Sequence, residues 1–469
     1  MKRPLVLASL SLLLLSGCAT MAPKYGRPAA PVPGAWPTGE AYGAASGGEG
    51  GPSAADLPWD EFFANGSLRK VISLALSNNR DLKAAALAVE RSQALYGISR
   101  ADLFPQVDAT GGGSVTRTPG TLSSSGRADT SRRYDVGLAV AGYELDLFGR
   151  IRSLKDRALS TFLATEQARR SVQVGLVSEV AVRWFALAAD RERLGVARET
   201  LSVQEKSYEL TKRRFEGGVS SELDLRQAQT SVDAARVDIA LYTALAAQDR
   251  NALDLLAGSS VPEELLPAEL GPVTAMKEIS AGLPSEALLR RPDIREAEEE
   301  LKSANANIGA ARAAFFPRIA LTTSVGLGSD ELSDLFRGAA RTWSFAPRIS
   351  VPIFDGGANR ASLKVAEADR DIAVARYEKA VQAAFREVAD ILAQRGTLGD
   401  RLSAQQSLVD AAAVTRKLSD ARYEKGVDSY LSVLDAQRTL YAARQNLVAV
   451  RLALLANRVT LYRALGGGG

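Results

Sequence analysis

Cys18 is the only cysteine of the chain, and histidine is absent altogether. Imidazole or thiol-rich metal sites, Ser-His-Asp triads and Cys-His nucleophile pairs all need residues that are missing here. Carboxylate-only chemistry is left open by 54 acidic residues, although acids spread through a sequence are mostly solvated helix faces. The one side chain with a distinct chemical opportunity is therefore the Cys18 thiol. Lys2 and Arg3 precede an apolar run over residues 5–15. That run is shorter than the roughly 20 residues a spanning helix needs, and it has the charge-then-apolar order of a secretory signal.

The run ends Leu15-Ser16-Gly17-Cys18-Ala19. Small residues before a cysteine resemble a bacterial lipobox, in which the thiol is acylated and becomes the new N-terminus. Residues 1–17 are then a signal peptide and Cys18 carries a covalent lipid. The alternative is an ordinary signal cut nearby with a spare thiol. By the same resemblance, the absence of Asp at position 19 favours sorting to the outer membrane. One acyl chain holds only weakly, so lipid need not be the main anchor. Residues 18–55 are rich in Pro, Gly and Ala and read as a flexible leader. Lys plus Arg exceed Asp plus Glu by four; Lys2 and Arg3 leave with the signal, so the excess falls to two. The basic residues are scattered, which argues for no nucleic acid partner.

An internal duplication organises the rest. Asn79-Arg80-Asp81-Leu82 matches Arg291-Pro292-Asp293-Ile294, and Phe104-Pro105 matches Phe316-Pro317. Further on, Phe215-Glu216-Gly217-Gly218-Val219 matches Tyr423-Glu424-Lys425-Gly426-Val427, and Ala228-Gln229 matches Ala436-Gln437. Matches in one order define two units, over 56–258 and 291–466, joined by a Pro-rich linker at 259–290. Each opens with a helix that a Phe-Pro pair stops. Each continues with two alternating strands, about 105–117 and 133–146, then about 317–328 and 343–353. In the first strand Val107, Ala109, Gly111, Gly113 and Val115 share one face; in the third, Ile319, Leu321, Thr323, Val325 and Leu327 do. Such strands are long enough to cross a bilayer when tilted.

The period then changes. Helical patterns span about 150–215 and 222–256 in the first unit, 359–423 and 430–465 in the second. The longer ones would reach on the order of 95 Å. Val381, Phe385, Val388 and Leu392 have the spacing of a coiled-coil seam, and Leu440, Leu447, Leu454 and Leu461 recur every seven residues. The fold class is thus mainly α with a small membrane β part. Four strands cannot close a barrel, and open edges in lipid leave peptide groups unpaired at several kcal/mol each. If the strands span a membrane, other copies must supply the remainder. Two copies give eight strands and a plugged interior, three give twelve and a lumen, and the physics does not choose between them. A soluble sheet packed on one face is the competing reading.

The run from Ala304 through Gly309 to Phe316-Pro317, the segment Pro352-Ile353-Phe354-Asp355-Gly356-Gly357, and the stretch Tyr423–Gln437 resemble the outer-membrane factors of tripartite efflux systems. These are the TolC superfamily, in its NodT/OprM lipoprotein branch. The resemblance covers about Trp59 to Gly466. It implies a homotrimer with one shared twelve-stranded barrel, a long coiled-coil tunnel reaching into the periplasm, and an equatorial girdle. It also implies docking to a periplasmic adaptor and an inner-membrane pump of the resistance-nodulation-division (RND) class. No cofactor and no enzymatic activity are expected. Gly218-Val219-Ser220 and Gly426-Val427-Asp428-Ser429 match the turns that dock the adaptor. Leu431 and Asp435 match the periplasmic constriction, a leucine collar and a carboxylate ring, with Asp428 one turn away adding charge. Ser432 stands where TolC has a second Asp at its entrance. Rival functions are a periplasmic hydrolase, a structural coiled-coil lipoprotein and, nearer at hand, a type I protein-secretion conduit.

Overall fold

The computed structural model describes residues 20–42, 53–270, 276–281 and 284–468. Its main elements run α1 (Trp59–Phe62), α2 (Gly66–Asn78), α3 (Arg80–Ala101), β1 (Asp108–Thr118), β2 (Asp129–Glu144), α4 (Arg150–Glu216) and α5 (Glu222–Ala257). After the linker come α6 (Pro284–Leu289), α7 (Pro292–Ala313), β3 (Arg318–Ser329), β4 (Arg341–Ser350), α8 (Ala358–Glu424) and α9 (Tyr430–Ala464). The chain forms two compact units. Of the described residues, one unit holds those of 20–28, 88–165 and 297–377; the other holds those of 29–87, 166–296 and 378–468.

In the first unit the four strands make one antiparallel sheet in the order β1-β2-β3-β4. The register aligns Ala109, Leu138, Val325 and Trp343 in a row across all four strands. Because side chains alternate, that row and its parallels form one apolar face. Trp343 is 80% exposed and Val325 61%, so none of the described residues covers it. The opposite face carries Thr110, Gly137, Gly326 and Thr342 in register, and Ser324 and Ser344 share a hydrogen bond at 2.7 Å. Three strands begin or end away from the sequence expectation: β1 starts at Asp108, β2 starts at Asp129 and β4 ends at Ser350. Arg132 and Arg133 obscure the start of β2, since this strand runs past its apolar stretch.

Each Phe-Pro stop is built alike. The Phe104 amide bonds to the Ala101 carbonyl at 2.9 Å, and Phe316 to Ala313 at 3.1 Å. Entry into the long helices is capped by carboxylates: Asp146 accepts from the amides of Ile151 and Arg152, Asp355 from Gly357 and Asn359. Unmet amides at a helix start make this worth about 1 kcal/mol each.

The second unit explains the other repeated motif. The Asn79 side chain caps α3 by accepting from the Leu82 amide and donates to the Leu256 carbonyl at 3.0 Å. Its counterpart Arg291 donates to the Ala464 carbonyl at 2.7 Å and pairs with Asp293 and Glu387. In each repeat the motif ties the short helix to the end of the last one. Phe62, stacked 4.0 Å from Tyr462, sits in the core with Leu68, Val71 and Ile72. Linker residues Ser280 and Met276 bridge to Ser53 and Phe63.

The leader departs from expectation. Over its described residues 20–42 it is held at discrete points. Thr20 hydrogen-bonds Ser153 at 2.7 Å, and the Pro23 carbonyl accepts from Asn305. Arg27 makes a two-pronged pair with Glu298 at 3.0 and 2.8 Å, which Tyr25 completes at 3.0 Å. A Cβ on Gly309 would lie 2.5 Å from Ser153 Oγ and 2.6 Å from the Ala22 nitrogen. Glycine is required there because the leader crosses at that point. In the second unit Trp36 is buried and stacks 5.0 Å from Phe385. That assigns Phe385 to the leader contact rather than to a coiled-coil seam, whereas Val381, Val388 and Leu392 are buried. Of the seven-residue series, Leu440 and Leu461 are buried while Leu447 and Leu454 are only half so.

Candidate functional site

The turns joining α4 to α5 and α8 to α9 are near-copies. At the first, the Val219 amide reaches back to the Arg214 carbonyl at 2.8 Å and Gly218 to Phe215 at 2.9 Å. At the second, Val427 bonds to Arg422 and Gly426 to Tyr423, both at 2.9 Å. Gly218 has φ 74° and Gly426 φ 72°, the left-handed conformation that ends a helix by satisfying its last carbonyls. Each reversal thrusts a valine outward: Val219 is 74% exposed and Val427 61%.

The helices that leave the turns differ. Ser221 and Asp224 form a reciprocal capping box at the start of α5. Burial would raise the Asp224 carboxyl, but hydrogen bonds from Ser221 and Ser220 hold it below its ordinary value. At α9 Ser429 makes no side-chain cap. Asp428 is instead clamped by Arg422, with Nε to Oδ2 at 2.6 Å and Nη2 to Oδ1 at 2.9 Å. The Arg422 hydrogen bonds keep its carboxyl below the usual range. Its charge is offset within the turn, so the expectation that Asp428 adds free negative charge to a collar is revised. Sequence reading missed Arg422, although Arg214 and Arg422 occupy matching places in the two repeats.

Below the turns the hairpins are latched together. Tyr430, Val433, Leu434 and Ala228 form a buried cluster against Tyr208 and Tyr423. The Tyr430 hydroxyl shares a hydrogen bond with Ser207 at 3.1 Å, and the Arg214 guanidinium sits 4.7 Å over the Tyr423 ring. Farther along, Tyr441 donates to Asp238 at 2.7 Å, joining α9 to α5. Burial first, and Asp238 next, push its phenol well above the ordinary value.

Leu431 and Asp435 lie on the other side of α9. Tyr430, Val433, Leu434, Ala436 and Gln437 are buried, while Leu431 is 58% exposed and Asp435 is exposed. Four residues apart on one face, they point away from the protomer's own core. The structure thus brings Leu431 and Asp435 together, sets Gly426, Val427 and Ser429 at the turn beyond them, and gives Gly218, Val219 and Ser220 the matching turn. Cys18 lies outside the described residues.

The profile of the outer membrane efflux protein family matches residues 71–259 and 283–467. This chain belongs to the outer membrane efflux protein family. A solvent efflux pump outer membrane protein, SrpC of Pseudomonas putida, is 50% identical over 459 residues, 98% of this chain and 97% of that one. A solved membrane protein from Pseudomonas aeruginosa superposes with a TM-score of 0.90 at 42% identity, covering 96% of this chain and 98% of that one. The MtrE channel of Neisseria gonorrhoeae, solved in its open state, does so at 0.86 and 38%, covering 96% and 98%. The fold is TolC-like, and the protein is an outer-membrane efflux channel. The outer membrane efflux proteins are a family of transporters, not of enzymes.

Proposed function

We propose that three copies of this chain close one twelve-stranded barrel and passively conduct small molecules delivered from a periplasmic adaptor and an inner-membrane RND-type pump. The observation that carries this reading is the sheet itself. One face is apolar and exposed, the other is lined with Thr, Ser and Gly, and the strand order leaves β1 and β4 as edges. In hydrocarbon each unpaired edge group costs several kcal/mol, and copies joined edge to edge remove that cost. The apolar window within α4 does not compete as the membrane segment, because 61% of it is buried inside the protein.

In this assembly α4, α5, α8 and α9 wall a periplasmic tunnel. Leu431 and Asp435, exposed on the protomer, ring its entrance as a collar and a carboxylate ring that attracts cations. Adaptor docking at Gly218-Val219-Ser220 and Gly426-Val427-Ser429 splays the helices and widens that entrance. The pump supplies all the energy. Cys18 carries a covalent lipid: it stands two residues before Thr20, whose hydroxyl is fixed on Ser153 near the start of α4. Relatives are named for export of solvents, toluene and antibiotics, so apolar and amphipathic compounds are the cargo to test first. Deleting the gene should sensitise cells to such compounds, and the intact gene should restore resistance. Purified protein that forms no pore in planar bilayers would overturn the proposal.

A further inference from the structure

The apolar face of the sheet ends in arginines at one side only. On β1 the outward positions run through Val115 to Arg117, and on β2 they run back from Val136 through Tyr134 to Arg132. On β4 the outward positions begin with Arg341 and continue to Trp343. The register shows that these ends are not level across the strands. Arg132 lies opposite Val115, one outward position short of Arg117. Arg341 lies opposite Leu327, which pairs with Val136, two outward positions and two strands beyond Arg132. The boundary therefore slips by one outward position per strand, and the apolar stretch slips with it. Lines of equal depth cross tilted barrel strands in this oblique way. The three arginines thus mark a common depth at the edge of the apolar band.

All three are exposed, and among the described residues none has an acidic partner at ion-pair distance. No Asp or Glu falls on the outward face of any of the four strands. On the opposite face, by contrast, Arg133 is paired with Asp135 at 3.8 Å. The far end of the outward face has no such residue; Arg318 and Arg348 both belong to the inward set. The arginines sit where the strands turn into their hairpins at 119–128 and 330–340, away from the helices. On the channel reading above, on which this rests, that end faces the cell exterior.

A ligand at this boundary needs acyl chains for the apolar band and an anion for the guanidinium groups. Arginine forks match phosphate oxygens in pairs, and long side chains reach from apolar surface to the headgroup level. We propose that Arg117, Arg132 and Arg341 form a phosphate-binding rung for the phosphorylated glycolipid of the outer leaflet. The rung fixes the barrel's depth and seals its rim to that lipid.

The test uses the full-length protein in a zwitterionic detergent, with native mass spectrometry reading lipid retained per assembly. The probes are bisphosphorylated lipid A, the same lipid dephosphorylated, and inorganic phosphate. Lipid A should bind at least tenfold more tightly than its dephosphorylated form. R117Q/R132Q/R341Q together should remove that preference, the three Lys replacements should keep most of it, and R133Q on the opposite face should leave it intact. Equal binding of the two lipids by the native protein would overturn the proposal, and this arm needs no variant to fold. So would an undiminished preference in the Gln variant, or displacement of lipid A by inorganic phosphate at equal concentration, which would mark a free-anion site. Pores that conduct without lipid preference sink only this inference; absence of pores sinks the channel reading.

Discussion

Arg27→Ala should release the leader from its docking site. Glu298 is 6% exposed and receives Arg27 Nε, Arg27 Nη2 and the Tyr25 hydroxyl within 3.0 Å, with Lys302 Nζ at 3.6 Å. Hydrogen bonds to a buried charge contribute about 1.5–3 kcal/mol. The Arg27 side chain is 49% exposed, so solvent screening lowers the figure to about 1–2 kcal/mol. That is about a five- to thirty-fold rise in the undocked population. Trypsin reports it, because Lys24 is an accessible cleavage site within the segment and Arg27-Pro28 resists cutting. When docking is fast relative to cleavage, the rate tracks the open population. Release of the N-terminal fragment should accelerate by that factor in the variant and in Glu298→Gln. Gly309→Ala should act likewise, through the clash with Ala22 and Ser153. The pH dependence has a definite sign. Burial would raise the Glu298 carboxyl, but Arg27, Lys302 and Tyr25 outweigh it and lower the folded value. The docking energy is therefore fully present above the unfolded carboxyl value of about 4.3 and fades as pH falls through the lower folded one. Pepsin at low pH should then cut native and variant leaders alike. A native-like tryptic rate in Arg27→Ala, within twofold, would refute the assignment of docking energy to this pair.

Other expectations concern the entrance and the sheet. Leu431→Ala and Asp435→Ala should each raise single-channel conductance in bilayers without pump; unchanged conductance with intact trimers would count against a gate there. Gly426→Ala forces a side chain into the left-handed region, at a cost of about 1–2 kcal/mol. It should weaken adaptor binding in a pull-down titration while leaving conductance alone. Val325→Arg places a charge on the outward face, worth about 2–4 kcal/mol near the bilayer midplane, and should deplete membrane-inserted protein. Ser324→Arg, its neighbour on the inward face, should insert normally and reduce conductance.

Much of this architecture is legible in the amino-acid order. Phe104-Pro105 and Phe316-Pro317 stop helices because proline cannot donate the next bond, and the alternation beginning at Val107 and Ile319 reports which sheet face meets lipid. Long proline-free stretches announce α4 and α8. The docking of the leader is not legible in the sequence because its anchors, Tyr25, Arg27 and Trp36, are single residues with no period, set among Pro, Gly and Ala. Their partners Glu298 and Phe385 lie hundreds of residues away and look like ordinary helix positions. At the entrance, the turn glycines are visible in the repeat, and Leu431 and Asp435 share a face by spacing alone. The Arg422 clamp on Asp428 is not, since it depends on how tightly the chain reverses. The stagger of Arg117, Arg132 and Arg341 emerges only once the strand register is known.

Cysteine cross-linking across the free strand edges tests the central claim most directly. Pairs placed on β1, around Gly112–Ser114, and on β4, around Ser344–Ala346, should join different copies under mild oxidation. Covalent species should stop at three chains and still conduct after reconstitution. A protein that remains a water-soluble monomer, with no pair along β1 and β4 able to link two copies, would contradict the account.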